Sequence, residues 1–310
     1  MAEARIPVDV FNPGQVFACL GLMEIADILL DELESQFVLN ENKVPTEFLL
    51  VSSDRHNPLQ TILDFLATVE INGIVPKGWE PWRNEGDAKK RSRIENEISA
   101  YEQSCTFPAH LPEGLMSLPI LLKGKHEDRD VEIRLDHWID ESGRNPFKLY
   151  SGNRSALKIA SDMLFGSRAK PKKGQTTGEL KTRGINQLYK EKTKAMLSLP
   201  FDVLTPIGGS FNFDPRGGWS AIDAGYSPDQ QGQLVESSPF VEFMAACGLQ
   251  HARPFVNGYQ VEYQIWTSRI PLVLARTILG CMQLEGTRKY KFMLQSSGKN
   301  KIVQFSLEDH

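Results

Sequence analysis

Three aspartates, Asp214, Asp223 and Asp229, fall in one glycine- and proline-rich stretch, G-G-S-F-N-F-D-P-R-G-G-W-S-A-I-D-A-G-Y-S-P-D. Carboxylates gathered in this way can hold Mg²⁺ for phosphodiester hydrolysis, as in a two-metal nuclease. Aspartates before proline and within Gly-rich loops also mimic backbone turns, and that is the stronger reading of these three. S-S-G-K-N at Ser296–Asn300 lacks the upstream glycine of a phosphate loop and has Asn300 in place of the hydroxyl residue, so it reads as a hairpin turn. There is no G-x-S-x-G elbow, and His137 has no legible partner constellation for general-base work. The four cysteines, Cys19, Cys105, Cys247 and Cys281, are widely separated and form no C-x-x-C pair. A cysteine zinc ribbon is thereby excluded and a disulfide framework disfavoured.

The basic residues offer better chemistry. Between Gly166 and Lys194 nine cations stand against two acids, a net of +7, whereas the first sixty residues set three cations against ten acids, a net of −7. A second basic cluster, Arg288, Lys289, Lys291, Lys299 and Lys301, lies near the C-terminus. Positive charge concentrated on a mildly acidic body suits a polyanion groove, because each neutralised phosphate releases a condensed counterion. Arg168, Lys170, Lys172, Lys173, Lys181 and Arg183 are candidate phosphate contacts, joined by Arg154 and Lys158 just upstream. Between them Gln175, Thr176 and Thr177 are neutral donors and acceptors suited to base edges, with Asn212 as a further candidate. Gly174 and Gly178 permit close backbone approach. Cations around a short polar tip on a flexible stem make the composition of a loop that probes a duplex. The competing reading is a solvated surface loop.

These residues need elements to hold them. F-N-P-G-Q-V at Phe11–Val16 is a helix start, with Asn12 as cap, Pro13 in the first position, Gln15 reaching back in a capping box and Phe11 stapled to Val16. Cys19, Leu22, Met23, Ala26, Leu29, Leu30 and Leu33 recur at helical spacing, with Glu24, Asp27, Asp31 and Glu34 mostly opposite. The pattern predicts an amphipathic helix ending near Gln36. H-N-P-L-Q at His56 opens a second helix, and Glu47–Ser52 reads as a strand. Strands are expected at Leu118–Lys123 and through Val131, Ile133 and Leu135. A short helix capped by Ser151 or Asn153 should end at Gly166, and further helices begin before Ile185, at Ser238–Pro239 and at Pro271. A hairpin over Tyr290–Leu307 closes the chain.

The pattern is that of an α+β fold of mixed helices and mainly antiparallel strands. Three stretches are expected: 1–165 with a polar insertion at 77–115, 166–195 carrying the basic loop and helix, and 196–310. Of the 310 residues 41% are hydrophobic and 24% charged, the balance of a globular chain. The net charge of −4 argues against a simple nucleic-acid binder. No apolar run is long enough to span a membrane and no secretory signal is visible, so a cytoplasmic protein without a membrane partner is expected.

The opening I-P-V-D-V-F-N-P-G-Q-V-F-A-C-L-G-L-M-E-I-A-D resembles the start of the large-subunit proteins of type I-G (formerly I-U) CRISPR–Cas systems. R-L-D-H-W-I-D, K-L-Y-S-G-N-R-S-A-L, the F-D-P-R…G-Y-S-P block, S-P-F-V-E-F-M-A-A-C-G-L and S-G-K-N-K carry the same resemblance. It implies a non-enzymatic subunit of a Cascade surveillance complex, without a cofactor. Such a subunit recognises the protospacer-adjacent motif on double-stranded DNA, helps open the duplex beside the guide RNA and recruits a helicase–nuclease. Its other partners would be the backbone and guide-end-capping subunits. An Mg²⁺-dependent nuclease using Asp214, Asp223 and Asp229, or a guide-RNA-binding subunit, is the alternative.

Overall fold

The computed structural model describes residues 1–39, 46–73, 88–89, 92–93, 96, 120–135, 149, 156–171, 176, 178, 180–218, 235–280, 282, 284–297 and 300–309. Over these the chain is an α+β fold whose recorded strand pairings are all antiparallel. Strand β1 (Ala2–Pro7) pairs with β3 (Glu47–Ser52), which pairs with β2 (Glu34–Val38). A two-residue strand from far along the chain, Ile270–Pro271, completes that sheet beside β2. A three-stranded sheet follows, β4 (Glu70–Gly73), β5 (Ile120–His126) and β6 (Arg129–Leu135). The C-terminal sheet centres on the long strand Thr287–Ser297, flanked by Gln260–Trp266 on one side and by Asn300–Val303 and Leu307–Asp309 on the other. Ser297 pairs with Asn300, so S-S-G-K-N closes a hairpin as its spacing implied. No described helix is long and apolar enough to cross a membrane.

Helix α1 (Pro13–Leu29) lies at the centre. It was expected to be amphipathic, but Val16 through Ala26 are buried on every side. It also ends seven residues before Gln36. The apolar spacing continues past Leu30, but Glu32 takes a left-handed φ of 47° and Ser35 and Phe37 then alternate inward as strand β2. Glu24, read from sequence as a solvated position, is gripped by Arg276 at 2.7 and 2.6 Å. Helix α2 (Pro58–Thr68) is capped by Asn57. Later helices are α3 (Ala156–Phe165), α4 (Ile185–Glu191), α5 (Thr193–Ser198), α6 (Pro239–Gly248) and α7 (Leu272–Leu279), the last carrying Arg276. Helices α1 and α6 cross backbone to backbone: a Cβ on Gly21 would stand 1.9 Å from the Met244 carbonyl oxygen, and one on Gly248 2.0 Å from that of Phe17. Cys19 and Cys247 are buried free thiols near this crossing, and burial raises the pKa of both.

A single hydrophobic cluster runs from Ala4 to Val303 and draws on all three stretches expected from sequence. What fixes its helices to its loops is a buried polar node around Asp214, a residue whose side chain is fully excluded from solvent. Asp214 Oδ1 accepts from Asn12 Nδ2 at 3.0 Å and from Arg216 Nε at 2.9 Å. Its Oδ2 accepts from Arg216 Nη2 at 2.8 Å, Ser237 Oγ at 3.1 Å and the Ser238 amide at 3.3 Å. Glu242, in the first turn of α6, accepts the Asp214 amide at 2.9 Å and the Phe213 amide at 3.3 Å. Asn12 meanwhile caps α1 by accepting from the Gln15 amide at 3.2 Å. Gln15 reaches back to the Asp9 amide at 2.7 Å, one turn beyond the capping-box target, because the Asn12 amide already donates to the Asp9 carbonyl. Phe11 is 44% exposed and lies edge-on to Tyr290.

Burial alone would raise the Asp214 pKa, but the hydrogen bonds and charge of Arg216 outweigh it and hold the group below the usual carboxylate range. Burial pushes Glu242 up to about 8, against backbone donors and with no cation paired to it among the described residues. Native Glu242 therefore keeps a proton that the unfolded chain has lost above its ordinary value. Its contribution to stability is full below that value and declines as pH rises toward 8. Unfolding free energy from urea titrations should fall between pH 5 and pH 8, and Glu242→Gln should flatten the slope even if it lowers absolute stability. An unchanged slope in the variant would remove Glu242 as the cause.

Asn12→Ala should cost about 2–3 kcal/mol, because it removes both a helix cap and a buried donor to a charged group. Asn57→Ala, which removes a cap without a buried carboxylate, should cost only about 1 kcal/mol. Equal losses in chemical denaturation would mean that the Asn12–Asp214 bond adds nothing.

Candidate nucleic-acid interface

The basic stretch forms a short ribbon in which Ser167–Arg168 pairs with Leu180–Thr182 through an irregular register. Its two legs touch without side chains between them: a Cβ on Gly178 would lie 1.7 Å from the Ala169 carbonyl oxygen. Arg168 Nη1 donates to the Gly178 carbonyl at 3.3 Å, so this guanidinium clamps the stem. The base of the ribbon is pinned to the loop after Thr205. Thr182 Oγ1 accepts the Gly208 amide at 3.1 Å, and the Arg183 amide donates to Thr205 Oγ1 at 3.3 Å. Helix α4 seats the whole unit against α2 through Tyr189, whose hydroxyl donates to Asp64 at 2.8 Å. Burial, with Asp64 adding to it, pushes the Tyr189 phenol up to about 12, so the hydroxyl keeps its proton and the bond persists.

The candidate cations part company in space. Lys158 pairs with Asp162 at 3.0 Å along α3, and Arg183 pairs with Glu191 at 3.2 Å. Lys170 and Lys181 are exposed and make no ion pair among the described residues. Thr176 is exposed, whereas Arg154, Lys172, Lys173, Gln175 and Thr177 lie outside the described residues. Asn212 is not free to read a base. It sits at a left-handed φ of 68°, accepts from Ser210 Oγ at 2.8 Å and donates to the Lys301 carbonyl at 3.1 Å, so it shapes its loop.

Residues passed over as individual contacts fill part of the gap. Lys190, Lys192 and Lys194 are all exposed and without an ion pair among the described residues. Lys192 marks the break between α4 and α5, with φ −131° and ψ 42°. The signal for them was their place in the basic run. Their acid neighbour, Glu191, is taken up by Arg183.

The second basic cluster is largely neutralised, contrary to its expected support for the loop. Arg288 pairs with Glu308 at 3.4 Å, Lys289 with Glu262 at 2.6 Å and Asp309 at 3.4 Å, and Lys291 with Asp309 at 2.6 Å. The alternation of strands places bases of Thr287–Ser297 beside acids of the strands on either side. The metal reading of Asp214 is corrected too: both oxygens are taken by protein donors and Arg216 supplies the counter-charge. Asp223, Asp229 and His137 lie outside the described residues, as do Lys299, Cys105, Cys281 and most of 77–115.

No family model, curated protein or solved structure matches the chain. The class of protein that fold and site define is therefore chemical: an α+β body with exposed lysines on the ribbon and on α4–α5 that make no ion pair among the described residues.

Gly178→Ala should break the contact between the ribbon's legs. Hydrogen exchange at the Thr182 and Gly208 amides should accelerate about tenfold or more, with little change in global melting, because the opening is local. Unaltered exchange would show that the stem does not depend on this close approach.

Proposed function

We propose that this chain is the non-catalytic large subunit of a CRISPR RNA-guided Cascade complex of the type I-G kind. In this reading it holds double-stranded target DNA at the protospacer-adjacent motif, aids its opening beside the guide RNA and recruits a helicase–nuclease. The observation that carries the proposal is the set of exposed lysines without an ion pair among the described residues, Lys170, Lys181, Lys190, Lys192 and Lys194, drawn from one run of a chain whose net charge is −4. Guide pairing supplies sequence specificity, so a subunit of this kind needs to hold backbone and read a few base pairs. Localised lysines on an acidic body meet that need, and the acidic remainder suits contact with basic neighbours.

The resemblance adds to this. N-P-G-Q, F-D-P-R and S-P-F-V-E-F, three of the blocks that carry it, converge on the Asp214 node, where their polar groups bond to one another. They act as framework, consistent with a subunit that has no chemistry of its own.

The test is reconstitution with guide RNA and the backbone and guide-end-capping subunits. The chain should co-purify, and its omission should weaken capture of duplex DNA. With Lys190, Lys192 and Lys194 all changed to Ala, the slope of log K against log salt should fall by up to about three units, near one per lost phosphate contact. Failure to co-purify would sink the subunit reading. An unchanged slope would return the lysines to ordinary solvated surface.

A further inference from the structure

Edge strands present unpaired main chain, and several edges of this fold are blunted. Phe255–Asn257 and Leu307–Asp309 are three residues long, and Ile270–Pro271 is two residues long and ends in proline. Strand β1 ends in Pro7, and Asn57 Nδ2 donates to its Glu3 carbonyl at 3.1 Å. Strand β6 has none of these devices. It runs for seven residues in unbroken register with β5, without proline, and no strand pairs with its other edge among the described residues. The two-residue turn at Glu127–Asp128 closes on His126 and Arg129, which makes that pair a hydrogen-bonded one. Alternation along the ladder then turns the main-chain N–H and C=O of Asp130, Glu132 and Arg134 away from β5.

That edge borders a groove of about 390 Å³. Four consecutive residues of β6, Glu132 to Leu135, form one wall, and Ile25 and Ile28 of α1 stand on the other. Side chains of a strand alternate between faces, so a groove touching four in a row follows the strand's edge. Glu24, also at the groove, is held by Arg276, with His251 at 4.0 Å, which leaves the α1 wall mainly apolar. The outward face of the edge carries charge in a fixed order. Glu132 bonds Lys123 across the ladder at 2.6 Å and stays half exposed, whereas Arg134 makes no ion pair among the described residues.

We infer that this groove receives an extended peptide segment of a partner protein, added to β6 as a further antiparallel strand. Main-chain bonds to Glu132 and Arg134 hold the segment, and its apolar side chains turn toward Ile25 and Ile28. Between them an acid lies beside Arg134 and a base beside Glu132, which continues the row of opposite charges that Lys123 begins. The inference is independent of the nucleic-acid reading above.

The test uses the full chain and the peptide acetyl-T-V-E-V-K-V-T-amide, with binding read by calorimetry. Antiparallel to β6, its glutamate meets Arg134 and its lysine meets Glu132. Saturable binding is expected. Methylating the main-chain nitrogens of that glutamate and lysine, which face β6, should weaken it about tenfold or more. Methylating those of the first and last valines, which face away, should not. Exchanging the glutamate and lysine should weaken binding about tenfold, and Glu132→Lys with Arg134→Glu in one chain should reverse that preference. Ile28→Lys, at a position 44% exposed, should melt within about two degrees of the parent and bind about fivefold more weakly. Equal binding of the two methylated peptides, or a charge preference that the double variant leaves in place, overturns the added strand. Absence of binding overturns it too; if the parent then self-associates and Ile28→Lys abolishes this, the edge belongs to a second copy of the chain. None of these outcomes bears on DNA binding.

Discussion

A carboxylate taken out of water must be given donors to replace those it leaves behind, and Asp214 collects them from distant parts of the chain. Asn12 comes from the start of the central helix, Ser237 and Ser238 from the entry to α6, and Arg216 from the same loop. Arg216 then reaches on to the Phe201 carbonyl and to Asp202. A buried group satisfied in this way admits few rearrangements, since any shift of one element strands a donor or an oxygen. Hydrophobic burial supplies the drive to collapse, but it is non-directional. The node sets where α1, α6 and the 211–218 loop stand with respect to one another.

That arrangement separates framework from surface. Acids and bases of the node, of Glu24 with Arg276 and of the C-terminal sheet are consumed within the protein. Among the charges of the described residues left to act outward, the lysines of the ribbon and of α4–α5 come from one run of the chain. A chain with an acidic total can thus present a local positive field, and the total is a poor guide to what one face will bind.

Much of the fold was legible in sequence because its signals are local. N-P before α1 and α2 and S-P before α6 state where helices begin, since a cap and its target are three residues apart. Strand β3 was legible to the residue. The end of α1 was not, because Leu29, Leu30 and Leu33 keep helical spacing, and what makes Glu34–Val38 a strand is pairing with β3 and with Ile270–Pro271. Glu24 looked solvated because its partner, Arg276, is 252 residues away. The candidate site was legible as charge and not as geometry. Lys158 and Lys190 have the same composition value, yet Asp162 sits one helical turn from Lys158; that i,i+4 pair was within reach of sequence. Glu191 facing Arg183, and acids facing the second basic cluster, depend on ribbon and sheet pairing that composition does not encode.

The antiparallel strand at Ile270–Pro271, the seat of α1 against α6 and the Asn12–Asp214 bond bear on how the chain comes off the ribosome. Asn12 and its carboxylate are 202 residues apart, so at about 5–20 residues per second the second arrives about 10–40 s after the first. During that interval α1, which the finished fold buries on every side from Val16 to Ala26, has no finished core to enter, and the first sheet lacks an edge. The nascent amino-terminal region exposes the surface that α6 will cover until α6 emerges, and truncation anywhere before Pro239 leaves α1 without that partner.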